Sequence, residues 1–138
     1  MDMHDCLFCN IVRREIQSSI VYETEHTLAF LDIHPVNPGH VLVIPKSHSQ
    51  NIFDIQSSDW AQVAESVRVV ASAVEKAMFA DGVNVMMNNR ASAGQVIDHP
   101  HVHIIPRFKG DGLTHWGNTD YKNDEAEVVK QKIVASFM

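Results

Sequence analysis

A chain of 138 residues, 45% of them hydrophobic and 20% charged, is long enough for one buried core and too short for several. Its net charge of -6 and pI near 5.8 argue against a broad phosphate-tracking surface, so a nucleic-acid polymer is not an expected partner. A small charged ligand in a local pocket stays open. No apolar run reaches the length needed to cross a bilayer, and Met1-Asp2-Met3-His4-Asp5 lacks the basic-then-apolar pattern of a signal peptide, so the expectation is a cytoplasmic protein without membrane contact.

No repeat, low-complexity tract or linker divides the chain, and residues 1–138 read as one domain. Leu7, Phe8, Ile11 and Val12 recur at helical spacing and predict a short amphipathic helix that carries Cys6 and Cys9 on one face. Ile20 to Thr24 and Thr27 to Ile33 read as β segments, and His40 to Pro45 as a buried-type strand. Between the last two, His34-Pro35-Val36-Asn37-Pro38-Gly39 is a turn that makes them antiparallel neighbours. From Ser57 to Phe79 an apolar stripe of Trp60, Val63, Val67, Val70, Ala71, Val74 and Met78 predicts a long helix, capped by Ser58 or Asp59 and stopped by Asp81-Gly82. Its richness in valine and alanine suits a helix covered on two sides. Val83 to Met87 is a fourth strand, Asn88 to Gly94 a polar loop, and the histidine-rich stretch after it a fifth strand. A final helix is expected from about Asp124 to Phe137. The pattern spells α+β: a five-stranded antiparallel sheet with one long helix and short helices at each end.

The most informative stretch is His99-Pro100-His101-Val102-His103-Ile104-Ile105. Residues two apart share a face of an extended chain, so all three imidazoles look the same way, and Pro100 places the strand's start near His101. Imidazole can act as nucleophile, base, acid or metal ligand near neutral pH. Three chemistries compete: hydrolysis by a catalytic metal, attack by a neutral imidazole through a covalent intermediate, and a structural metal knot in a scaffold or binding protein. The first lacks a carboxylate partner, because Asp98 has the wrong strand parity. Cys6-Leu7-Phe8-Cys9 is half of a tetrahedral zinc site, and with only two cysteines the histidines must supply the rest; two buried free thiols are the alternative.

These residues resemble the signature of the histidine triad (HIT) nucleotide hydrolases and transferases. The likeness extends through Cys6-Leu7-Phe8-Cys9-Asn10-Ile11-Val12, Leu28-Ala29-Phe30-Leu31-Asp32-Ile33, Pro38-Gly39-His40-Val41-Leu42-Val43-Ile44-Pro45-Lys46, Gly94-Gln95 and Pro106-Arg107-Phe108-Lys109-Gly110-Asp111-Gly112, which look like the zinc-containing Hint-type branch. It covers about residues 6–112 and leaves 113–138 as a C-terminal extension. The resemblance implies that His101 is the nucleophile at the α-phosphorus, that His103 contacts the phosphoryl oxygens and helps the leaving group, that Asp32 takes the ribose hydroxyls, that Asn88 touches the phosphate side, and that Gln95 is among the nucleotide-binding residues. It also implies a base pocket walled by Leu7, Phe8, Ile11, Phe30, Ile33 and Leu42. Structural zinc would sit on Cys6, Cys9, His48 and His99, and the protein would be a homodimer.

The substrate class so implied is a purine nucleotide phosphoramidate or ester. A dinucleoside polyphosphate is the alternative within the same mechanism, and a nucleotide-binding regulatory or scaffold protein with little turnover is the alternative of another class. Three positions depart from the family pattern: Pro100 replaces an aliphatic residue, Val96 a serine of the purine phosphoramidases, and Arg90 a common glycine. His4, His26 and His115 read as surface residues, and turn polarity accounts for His34 and His40. Lys46 and Arg107 are placed to steer an anion, or simply to charge strand ends.

Overall fold

The computed structural model describes residues 5–137. Its elements run α1 (Leu7–Val12), β1 (Ile20–Glu23), β2 (Thr27–Leu31), β3 (Val41–Pro45), α2 (Ser57–Met78), β4 (Gly82–Met87), a 3-10 turn (Ala91–Ala93), β5 (Val102–Arg107) and α3 (Glu125–Ala135). The five strands form one antiparallel sheet in the order β1-β2-β3-β5-β4, the expected α+β architecture.

Strand alternation sorts the sheet into two faces. Leu28, Phe30, Leu42 and Ile44 pack with Phe8 and Ile11 of α1, whereas Ala29, Val41, Val43, Val102 and Ile104 pack under Val63, Val70 and Val74 of α2. Burial of each such valine contributes roughly 1.5–3 kcal/mol. With Val102 and Ile104 committed to the α2 face, strand parity turns His103 to the α1 face, where Leu42 is its direct cross-strand neighbour. The one polar residue in the buried stripe of α2, Ser66, is satisfied: its hydroxyl pairs with Thr27 Oγ1 at 2.7 Å, which pairs with Thr24 Oγ1 at 2.8 Å.

The ends of α2 differ from the expectation. Its N-cap is Gln56, without a side-chain capping bond, so neither Ser58 nor Asp59 caps it. At the other end Phe79 adopts the left-handed conformation (φ 52°), and the Ala80 N–H bonds the Glu75 carbonyl, two residues before Asp81-Gly82. Close packing enforces the glycine of the β2–β3 turn. Gly39 has φ +97°, and a Cβ there would fall 2.6 Å from Met78 Cγ at the end of α2. Cys6 is the N-cap of α1 rather than a residue inside it, and its sulfur accepts from the Cys9 N–H.

Candidate active site

Four side chains from three parts of the chain converge behind α1. Cys6 and Cys9 frame its first turn, His48 follows β3, and His99 precedes β5. Cys6 Sγ lies 3.4 Å and Cys9 Sγ 3.6 Å from His99 Nδ1, Cys9 Sγ lies 3.3 Å from His48 Nδ1, and the two Nδ1 atoms are 3.4 Å apart. A tetrahedral zinc with bonds of about 2.0–2.3 Å requires ligand separations of roughly 3.3–3.8 Å, so the donor set fits the ion. The tautomer fits as well, because His99 Nε2–H donates to the Pro45 carbonyl at 2.8 Å and turns the Nδ1 lone pair inward. Burial and the neighbouring Cys6 push the Cys9 thiol up to about 11, a cost that a cation between the sulfurs reverses.

On the same side of the sheet opens a cavity of about 390 Å³. Leu7, Phe8, Ile11, Phe30 and Leu42 wall one part, and Asp32, Asn88, His101 and His103 supply polar groups. Phe8 joins it to the four-ligand cluster, its ring standing edge-on to His99 (5.9 Å) and to His101 (5.1 Å).

Hydrogen-bond partners assign the imidazole tautomers. His101 Nδ1–H donates to the His99 carbonyl at 2.7 Å, which leaves the Nε2 lone pair free. Burial lowers its pKa, opposed by that hydrogen bond and by Asp32, so the ring is neutral at pH 7. The backbone N–H of Val36 donates to His40 Nδ1 at 3.0 Å, so the neutral His40 ring carries its hydrogen on Nε2 and donates it to His103 Nδ1 at 2.9 Å. His103 is thereby fixed with its hydrogen on Nε2. Burial and the charges of His101 and His40 lower its pKa to about 4. Asp32 Oδ2 lies 3.6 Å from His40 Nε2, while Asp32 Oδ1 accepts the His34 N–H at 2.8 Å. Asp32, His40 and His103 lie close enough to suggest a second metal site. The Val36 bond argues against it, because His40 Nε2 then offers a hydrogen and no lone pair. The group is a hydrogen-bond chain.

The cavity brings together Leu7, Phe8, Ile11, Phe30, Asp32, Ile33, Leu42, Asn88, His101 and His103, with Ile33 at the rim. Gln95 is the exception among the expected nucleotide ligands. It does not line the cavity; its amide is spent on the Arg90 N–H (2.7 Å) and on the carbonyls of Gln50 (2.6 Å) and Ile97 (2.9 Å), which brace the 88–97 loop. Neither expected steering cation faces the cavity: Lys46 pairs with Glu23 at 2.7 Å and Arg107 with Asp111 at 2.8 Å. His40, assigned from the sequence to turn polarity, is 3% exposed and holds His103. His34 also lines the cavity. His26 and His115 are exposed as expected, and His4 lies outside the described residues.

Residues 13–110 match the HIT domain family. The chain belongs to that family. Among HIT relatives, an uncharacterised HIT-like protein of Methanocaldococcus jannaschii is 44% identical over 91% of this chain and 97% of its own. A protein of Saccharomyces cerevisiae named adenosine 5'-monophosphoramidase is 40% identical over 74% of this chain and 62% of its own, and one of Arabidopsis thaliana named adenylylsulfatase is 37% identical over 93% and 64%. A crystal structure of a HIT family member from Bacillus subtilis superposes with a TM-score of 0.90 at 38% identity, over 97% of this chain and 98% of its own. A zinc-bound histidine triad protein from Mycobacterium smegmatis superposes at 0.78 with 32% identity, over 98% and 100%. The HIT relationship supports a general class, nucleotide hydrolases of the HINT type, and the cysteine–histidine cluster is consistent with zinc.

Proposed function

We propose that this protein hydrolyses purine nucleotide phosphoramidates at the α-phosphorus through a covalent nucleotidyl-His101 intermediate. The observation that carries the reading is His101 itself: a neutral ring on the cavity wall, its Nδ1–H anchored on the His99 carbonyl and its Nε2 lone pair unspent. Asp32 takes the ribose hydroxyls, and the slot of Leu7, Phe8, Ile11, Ile33, Phe30 and Leu42 takes the flat base. His101 Nε2 attacks phosphorus while the bond to the leaving nitrogen breaks. That nitrogen takes a proton from solvent and departs as the amine. His103 Nε2–H and the Asn88 amide donate to the phosphoryl oxygens as charge builds on them. A water then attacks the phosphorus, the imidazole–phosphorus bond breaks, and the surplus proton returns to solvent with release of the nucleoside monophosphate.

The leaving group follows from charge. Among the described residues that line the cavity there is no lysine or arginine, and the chain carries -6 overall. A polyphosphate leaving group would have no cation to meet it, whereas an amine needs none. This favours a phosphoramidate over a dinucleoside polyphosphate and fits the names of the yeast and Arabidopsis relatives. Adenosine phosphoramidate is expected to turn over at least ten times faster than diadenosine polyphosphate, with His101→Ala abolishing turnover while AMP still binds. The reverse preference would assign the polyphosphate reaction, and tight AMP binding with negligible turnover of either would make the protein a nucleotide-binding scaffold. Zinc, held by Cys6, Cys9, His48 and His99, would contribute fold stability and anchor the residue two before His101, with no position left for a catalytic water. The working unit is taken to be a homodimer, since only one stripe of α2 is buried in the single chain while Ala61, Ala64 and Ala73 lie exposed. Sedimentation at micromolar concentration that finds only a 15.5 kDa species would overturn the dimer.

A further inference from the structure

The part of the cavity formed by the α1–β1 loop carries a polar group that the reaction does not use. Here the wall is Leu7, Ile11, Ile16 and Phe30, with two consecutive polar residues, Gln17 and Ser18. The Ser18 hydroxyl is buried and has no hydrogen-bond partner. Native proteins seldom leave such a group unpaired, because desolvation without a compensating bond is costly. Ser49 Oγ shares that condition, but Ser49 does not line this cavity.

The loop around Ser18 is held on both sides. Upstream, the N–H groups of Glu15 and Ile16 donate to the Asn10 carbonyl, and Arg14 in the left-handed conformation pairs with Glu23 at 2.6 Å. Downstream, the Leu31 N–H donates to the Ser19 carbonyl at 2.9 Å. The backbone therefore fixes where Ser18 stands, and rotation about one side-chain bond is the freedom that remains to the hydroxyl. An unmet hydroxyl just behind the surface of a largely apolar slot, able to turn into it by one side-chain rotation, is what a site needs when its ligand is flat, apolar on its faces and polar at its edge.

We propose that Ser18 is a specificity-determining residue that reads the hydrogen-bonding edge of the nucleobase. A hydroxyl both donates and accepts, so it can meet a ring nitrogen, an exocyclic amine or a carbonyl. It selects a base with a polar edge over an apolar bicycle of the same shape, rather than adenine over guanine. The inference rests on the nucleotide reading given above.

The test compares the full-length wild type with Ser18→Ala and Ser18→Thr by calorimetric titration with AMP and with the 5'-monophosphate of indole riboside, whose six-membered ring has no edge nitrogen or exocyclic group. AMP affinity is expected to fall roughly five- to ten-fold in Ser18→Ala, the value of one hydrogen bond, while the indole nucleotide binds the two proteins equally and Ser18→Thr keeps the preference for AMP. The melting temperature of ligand-free Ser18→Ala is expected to match or exceed wild type, since the hydroxyl has no partner to lose and its desolvation cost is relieved. An AMP-to-indole ratio unchanged in Ser18→Ala would overturn the proposal and leave nucleotide binding intact, and a lowered ligand-free melting temperature would overturn it by giving the hydroxyl a role in the fold. Failure of the wild type to bind either nucleotide would instead overturn the nucleotide reading itself.

Discussion

Replacing His40 by leucine removes the donor that fixes the His103 tautomer without replacing any residue that lines the cavity. The smallest consequence is the loss of one neutral, part-buried hydrogen bond of 2.9 Å, worth about 1 kcal/mol or roughly five-fold. The largest is the loss of His103 as an oriented donor to the reacting phosphoryl group, which at comparable sites costs on the order of 10²–10³ in kcat. His103 keeps its ring and loses only its preference for the Nε2–H form, so the expectation lies between these limits: kcat lower by about 10- to 100-fold, with KM within two-fold of wild type. The pH profile adds a second readout. Burial lowers the His101 pKa, the hydrogen bond to the His99 carbonyl and the charge of Asp32 oppose it, and His40 is not among the causes. The wild-type acid limb therefore falls below the ordinary histidine value of about 6.5, because a depressed pKa keeps His101 neutral further into acid. His40→Leu should keep that limb and lose rate in parallel at every pH. A collapsed site would alter the burial of His101 and move the limb. His40→Gln, whose amide can donate towards His103, should recover part of the loss. Stopped-flow release of a fluorogenic amine from its adenosine phosphoramidate measures the wild type and both variants, and a His40→Leu kcat within two-fold of wild type would refute the positioning role.

Two further predictions concern stability. Phe8→Ala removes a ring that is 5% exposed and packed edge-on against Phe30, His99 and His101, and it should cost about 3–5 kcal/mol in urea unfolding together with weaker AMP binding; a loss under 1 kcal/mol would show that the α1 wall does not hold the core. Fresh untagged protein should carry close to one zinc per chain, and chelation should lower the melting temperature with activity lost only as structure is lost. Well under one zinc per chain with full activity would leave Cys6 and Cys9 as ordinary buried thiols.

Much of the site was legible because it obeys short-range periodicity. Alternation along His99-Pro100-His101-Val102-His103 assigns the imidazoles to one face, and the structure gives the other face to Val102 and Ile104 under α2. Cys6 and Cys9 three residues apart present both sulfurs at the start of one helix. The ends of α2 were not legible, because tertiary packing settles them. Gln56 caps it without its side chain, and Phe79 takes a left-handed conformation that an isolated sequence assigns to the nearby Gly82. Gln95 misled for a related reason. It belongs to the motif, yet both of its amide hydrogens are spent on backbone carbonyls and leave no donor for a phosphate.

His40 marks the limit of reading by pattern. In the sequence it is one polar residue after a proline-glycine turn, 63 positions from His103, and nothing local separates it from His34. Its role follows from sheet register. β3 pairs with β5 so that Leu42 stands opposite His103, and His40, two residues earlier and on the same side by strand parity, reaches that ring diagonally. The turn then completes the arrangement, because the Val36 N–H occupies His40 Nδ1 and sends the ring's hydrogen towards His103. A one-residue slip of β3 would carry both Leu42 and His40 to the α2 face and break the chain of donors, so the apolar alternation that fixes the register also fixes the tautomer of His103.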